Sequence, residues 1–281
     1  MSSSHDRHMT RPSAAPRAVP TLPFAAEVAS DTAVPRLPTI VVSSWKGGVW
    51  KTCLSASIAE RLAFAGQEVL YLVTDDQLDA RRRLGISEAD PDVARVQRGA
   101  GTVTVVGLAG AHAVDLLYRS GPGRFGRFDA IVVDTPPVKK GGSLPGVLLL
   151  APTDGDDASA NLIRMLRATP ANTEIVLVRI DRVPKTEWAH DAAIIAEASN
   201  RSENLVYLPD PLPRTVEVRE ALNRGQSVWT LPRRGMTLDF LRSVESLAGL
   251  AWERAHPGTT LPPLAPAGAT QTHIRGWDDN A

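Results

Sequence analysis

Two lysines, Lys46 and Lys51, enclose a glycine pair in the stretch Ser43-Ser44-Trp45-Lys46-Gly47-Gly48-Val49-Trp50-Lys51-Thr52. Glycines let the backbone turn its N–H groups inward, where together they bind anionic oxygens. A helix that starts at the end of such a turn adds partial positive charge from its own unpaired N–H groups. A lysine at that helix start brings a full charge to a phosphate chain, and a neighbouring hydroxyl, here Thr52, is a ligand for magnesium. The chemistry on offer is the binding of a phosphate chain by Lys46, Gly47, Gly48, Val49, Trp50, Lys51, Thr52 and Cys53. Trp50 is the anomaly. It stands where this kind of loop has its last glycine, and a bulky residue at positive φ is an outlier.

Two acidic positions complete the set. Phe128-Asp129-Ala130-Ile131-Val132-Val133-Asp134-Thr135-Pro136-Pro137 is an apolar strand ending in an aspartate. Asp134 there presents a carboxylate to magnesium, commonly through water, and the prolines stop the strand. The stretch EVLYLVTDDQLDARRRLGI, from Glu68 to Ile86, ends a second apolar strand in Thr74-Asp75-Asp76. A carboxylate at that place can hold a water in line with a phosphorus.

The elements that must position these groups follow from pattern. Strands are expected at 39–44, 68–73, 103–107, 129–134, 147–151, 174–180 and 204–207, and helices at 51–65, 112–119, 156–168, 187–199, 215–223 and 237–254. Runs such as Ala130-Ile131-Val132-Val133 and Ile175-Val176-Leu177-Val178 are continuously apolar, as in strands buried on both faces of a mostly parallel sheet. Ligands of such sheets bind at the carboxyl ends of the strands, where both the glycine turn and Asp134 fall. No internal repeat is visible.

The spacing Lys46-Gly-Gly-Val-x-Lys51-Thr52 resembles the deviant Walker A motif of the ParA/MinD superfamily of ATPases, and Asp134-Thr-Pro-Pro resembles its Walker B strand. The resemblance spans about 38–255 and is nearest to the ParA-type DNA partition proteins. It implies an α/β fold, a mostly parallel twisted sheet flanked by helices on both faces in the three-layer P-loop NTPase arrangement. It further implies ATP and Mg2+ as ligands, with Lys46, Lys51 and Asp76 catalytic and Thr52 and Asp134 holding the metal. Lys46 then reaches across an ATP-dependent homodimer. Asp76 matches the water-orienting aspartate only with a one-residue deletion, which leaves Asp75 as its rival and sets Thr74 at the family's first aspartate. The stretch LVYLPDPLPRTVEVREALNRGQSVW, from Leu205, is similar to the family's adenine-pocket segment, so Pro209, Pro211 and Pro213 are expected beside the base. Arg214, Arg219, Arg224, Arg233 and Arg234 are the candidate contacts to DNA phosphates. The Arg81-Arg82-Arg83 run reads as an exposed helix face, with a contact to a partner or to DNA as the alternative.

The implied function is DNA segregation, of a plasmid or a chromosome, with non-specific DNA and a ParB-like centromere-binding protein as partners and a cytoplasmic, nucleoid-associated location. The alternative is a degenerate relative with weak or no ATP hydrolysis, working as a DNA- or partner-binding switch or scaffold. Trp50 bears on the choice: with its indole turned outward it throttles the site, and Trp50→Gly then tightens ATP binding; with the indole in the phosphate cavity, binding is lost.

Composition sets the limits. The 281 residues carry 31 basic and 31 acidic side chains, so any DNA contact needs a local patch. One cysteine, Cys53, excludes a disulfide framework and a cysteine metal cluster. No apolar run reaches the roughly 18 residues of a membrane span. Residues 1–36 and 257–281 are rich in Pro, Ala and other small residues and are expected as disordered tails, leaving 37–256 as one folded domain.

Overall fold

The computed structural model describes residues 37–74, 79–87, 90, 93–108, 113, 117–118, 127–137, 146–170, 173–180, 188–200, 206–207, 211–264 and 273–274. Among the described residues, nine strands form one sheet: β1 Thr39–Val42, β2 Glu68–Val73, β3 Val93–Arg98, β4 Gly101–Gly107, β5 Ala130–Asp134, β6 Leu148–Thr153, β7 Glu174–Arg179, β8 Val206–Tyr207 and β9 His273–Ile274. Their spatial order is β8-β7-β6-β1-β5-β2-β4-β3-β9. Every pairing from β8 to β4 is parallel, while β3 runs antiparallel to both β4 and β9. The helices are α1 Lys51–Phe64, α2 Asp79–Arg83, α3 Gly155–Arg167, α4 Trp188–Ser199, α5 Val216–Asn223 and α6 Gly235–Ala255.

The apolar runs are explained by two cores, one on each face of the sheet. Ile40 and Val42, Ala130 and Val132, and Val69 and Tyr71 point to the side of α1 and α6. Val41, Ile131 and Val133, and Leu72 point to the side of α3 and α4. Side chains alternate along each strand, and both sides are covered, so the central strands are apolar along nearly all of their length. This is the three-layer α/β arrangement expected from sequence.

The differences lie at the edges. β3 was not expected: VARVQR alternates half-buried and buried positions, as a strand near the rim of a sheet does. The segment from 257, expected outside the fold, packs against it over 257–264. Leu261 and Leu264 lie on the core, and the Pro262 carbonyl accepts a hydrogen bond from Arg61 Nη2 at 2.5 Å. Proline-rich composition removes periodicity, yet a few apolar side chains suffice to dock such a strap. The expected helix at 112–119 falls largely outside the described residues, as does most of 204–207. No described helix is long and apolar enough to cross a membrane.

The centre of the sheet sets the site. β1 lies between β6 and β5, and Val42 of β1 and Val73 of β2 both pair with Asp134 at the end of β5. Three strands therefore finish at one level, where the connections from β1 and β6 leave toward opposite faces. Crevices form at such reversals.

Candidate functional site

The turn after β1 has the backbone its glycines predict. Gly48 sits at φ 78°. Trp50, the one non-glycine residue at positive φ among the described residues, sits at φ 59° and ψ 23°. The tryptophan is held in the left-handed region that glycine would enter without strain, at a cost of about 1–3 kcal/mol. Two contacts stabilise it there. The Trp50 carbonyl accepts the first helical hydrogen bond of α1, from Leu54 N at 2.9 Å. Its indole packs edge-to-face on Phe240 of α6, with centroids 6.0 Å apart. Val49 is fully buried and pins the turn from below.

Lys51, the first residue of α1, is buried, and its Nζ donates to the Lys46 carbonyl at 3.0 Å. The ammonium therefore lies beneath the turn. Across from it, Asp134 is 1% exposed. Its backbone is clamped: the Asp134 carbonyl accepts from Thr74 N at 3.0 Å and Thr74 Oγ1 at 2.9 Å. Thr135 Oγ1 donates to the Val42 carbonyl at 3.0 Å, which ties β5 to β1. Thr74 is thus a buried strand lock rather than a substitute carboxylate. Beneath the start of α1, Ser55 Oγ and Tyr71 Oη are 2.8 Å apart. Burial first, and the negative charge of Asp134 next, push the Tyr71 hydroxyl well above its ordinary value. Burial also pushes the Cys53 thiol up to about 12.

These groups surround a cleft of about 410 Å³ lined by Gly47, Gly48, Trp50, Lys51, Thr52, Cys53, Asp79, Ala80, Arg83, Asp134, Pro137 and Arg219. Its size suits a small-molecule ligand. The Thr52 hydroxyl and the Asp134 carboxylate are hard oxygen donors, the type that magnesium takes. A left-handed residue after an inward glycine turn leaves N–H groups facing the same space. The residues present therefore fit a magnesium-bound phosphate chain.

Lys46 has a partner that the sequence did not disclose. Its Nζ lies 3.3 Å from Asp154 Oδ1 and 3.4 Å from the Asp154 carbonyl oxygen. Asp154 also pairs with Arg214, whose Nη2 donates to the Gly48 carbonyl at 3.2 Å. Asp154 follows the end of β6 much as Asp134 ends β5, and an acid closing an apolar strand was the signal that could have found it.

The other expected site residues divide. Asp75, Asp76 and Pro209 lie outside the described residues. Pro211 and Pro213 flank Leu212, which bridges to Ile180, and neither lines the cleft. The five arginines do not form one patch. Arg214 turns to the glycine loop and Arg219 lines the cleft. Arg224 pairs with Glu220 at 3.0 Å. Arg233 borders a separate cavity of about 240 Å³ with Trp229 and Leu241. Arg234 is exposed just before α6. The Arg81–Arg83 run is also no uniform exposed face. Arg81 is buried and donates to the Asp90 carbonyl at 3.1 Å, Arg82 pairs with Asp79 at 2.9 Å, and Arg83 faces the cleft.

No family model and no curated protein matches the sequence. Solved structures do match the fold. McdA from Cyanothece in complex with ATP aligns at a TM-score of 0.53 and 16% identity, over 78% of this chain and 97% of that one. MinD from Pyrococcus horikoshii in complex with Mg-ADP aligns at 0.51 and 17%, over 78% and 99%. Cobyrinic acid a,c-diamide synthase from Mycobacterium smegmatis, with ADP and magnesium, aligns at 0.50 and 19%, over 82% and 100%. The chain shares the fold of these three solved structures.

Proposed function

We propose that the protein is a ParA/MinD-type ATPase that works as a nucleotide-dependent homodimer. The observation that carries this reading is the convergence of Lys51, Thr52, Asp134 and a left-handed glycine turn on one cleft at the reversal point of the sheet. The fold alone does not choose a function; these side chains narrow it to phosphate chemistry.

When bound, Mg-ATP supplies a transferable phosphoryl group and the metal charge that offsets it. The protein's own part is positioning. The N–H groups of residues 47–51 would cradle the phosphates, Lys51 would add a fixed charge beneath them, and Thr52 and Asp134 would hold the metal. Asp76, or Asp75 beside it, would orient the attacking water. Lys46 stands at the rim, 35% exposed, held by Asp154, and is the residue placed to reach a second copy. The finer reading is DNA segregation with a ParB-like partner, with the chain in the cytoplasm on the nucleoid. Arg233 and Arg234 are exposed and remain available for DNA phosphates. Arg214, bound to Asp154 and the loop, is not.

A second reading, a switch with slow or no turnover, is favoured by the strained tryptophan in the loop. Light scattering tests the first. ATP should convert monomer to dimer, and Lys46→Ala should stay monomeric while still binding nucleotide. A mass that ATP leaves unchanged counts against the dimer. Turnover measured in the same samples, with and without DNA, separates an ATPase from a switch.

A further inference from the structure

Several arginines in or beside α2 and α5 already have a partner. Arg82 is paired with Asp79, Arg214 with Asp154 and Arg224 with Glu220. Arg83 and Arg219 differ. Both line the cleft, and among the described residues neither side chain makes a hydrogen bond or an ion pair. Arg83 Nε is buried without an acceptor. A buried charged donor left unsatisfied is costly, and a ligand that brings an acceptor recovers that cost.

The two arginines come from different helices, yet their spacing is fixed. Arg83 ends α2 and Arg219 sits in α5, and the glycines that follow the two helices touch. A Cβ added at Gly225 would lie 2.6 Å from Gly85 Cα, so the backbones meet with no side chain between them. One buried ion pair holds both segments from behind. Arg98 Nε donates to Glu60 Oε1 at 2.6 Å, and Arg98 Nη2 donates to the carbonyl of Leu84, next to Arg83, at 3.1 Å. Ser227, two residues beyond Gly225, donates to Glu60 Oε2 at 2.8 Å. Glu60 and Arg98 are therefore positioning residues for the pair.

The charge of the cleft points to the ligand. Its lining holds the cations Lys51, Arg83 and Arg219 against the carboxylates Asp79 and Asp134, and Asp79 is bonded outward to Arg82. Arg83 lines the cleft together with Lys51, Thr52 and Cys53 of the first turn of α1. A guanidinium presents a planar fork that fits phosphate oxygens. We infer that Arg83 and Arg219 form a two-arginine clamp on the phosphate chain of the bound nucleotide, supplied within one subunit. The clamp rests on the nucleotide reading above and adds to it two residues outside the glycine loop.

Calorimetric titration of the full chain with Mg-ATP, Mg-ADP and AMP tests it. Arg83→Gln and Arg219→Gln should each weaken ATP by about tenfold or more, the scale of a lost charge-assisted hydrogen bond. AMP should change far less, so the preference for ATP over AMP falls. Arg83→Lys should recover part of the loss, and Arg242→Gln on the exposed face of α6, away from the cleft, should match the native chain. Arg219 is exposed, so Arg219→Gln serves even where Arg83→Gln fails to fold. Native ATP affinity in Arg219→Gln, with the native chain binding ATP, overturns the clamp and leaves the nucleotide reading standing. A native chain that binds no ATP overturns both.

Discussion

Helix α1 has two ends with opposite characters. At its C-terminal half, two buried arginines are bonded in full view of acids and carbonyls. Arg98 meets Glu60, Leu84 and Gln97, and Arg61 meets Glu245 at 2.5 and 2.6 Å as well as Pro262. Arg61 also lies over the ring of Trp229, 5.8 Å from its centroid. At its N-terminus the helix begins with a tryptophan in a glycine conformation, a lysine tucked under a turn, and arginines facing a cleft. One end holds charges matched in ion pairs, with only Arg61 Nη1 left without an acceptor; the other holds strain and arginines that no described acid pairs. A buried ion pair earns its keep through geometry and extra hydrogen bonds, and the back of α1 provides both. Strain persists only where the surroundings enforce it, and the finished end provides that enforcement for the cleft.

The largest effect should come from breaking the finished end. Glu60→Ala leaves Arg98 buried without its partner, and loss of one member of such a pair costs about 3–5 kcal/mol. Urea denaturation reads this directly, and a loss below about 1 kcal/mol would mean that the network is not what anchors α1. A smaller effect is expected at the rim. Asp154→Ala frees Lys46 and Arg214 from a half-exposed pairing worth about 1 kcal/mol or less. The ATP concentration needed for dimer formation should then shift by up to about fivefold, with melting nearly unchanged; melting that drops steeply would make Asp154 a structural residue instead. The smallest effect is expected at Trp50. Glycine there relieves a φ penalty of about 1–3 kcal/mol but forfeits the ring contact with Phe240. The two terms oppose each other, so Trp50→Gly should tighten ATP by no more than about threefold. A gain far beyond tenfold would show that the indole lies in the path of the phosphates.

What the sequence disclosed follows the same division. The glycine turn, Lys51, Thr52 and Asp134 were legible because each is set by neighbours close in the chain: a strand pattern, a turn, a helix start. Even the positive φ of Trp50 could be read from its place in the motif. Asp154 closes a strand and was open to the same reading, but its bonds to Lys46 and Arg214 join residues far apart in the chain, and no local pattern encodes those. The same holds for Arg61 with Glu245, and for Arg83, whose place on a presumed exposed face was overturned by the contact of Gly85 with Gly225. Strand β3 was missed because its alternation is carried by Ala, Val and Arg rather than by a run of large apolar residues.

Cys53 has a practical side. It is the sole thiol of the chain, and it is buried with its proton held tightly. Reagents that attack thiolates at neutral pH pass it by. The protein is thus a natural cysteine-silent background for site-directed probes. Met236, 40% exposed at the start of α6, lies four residues before the Phe240 that carries the Trp50 ring. A fluorophore or spin label on Met236→Cys would sit alone on the molecule and report when that aromatic contact moves.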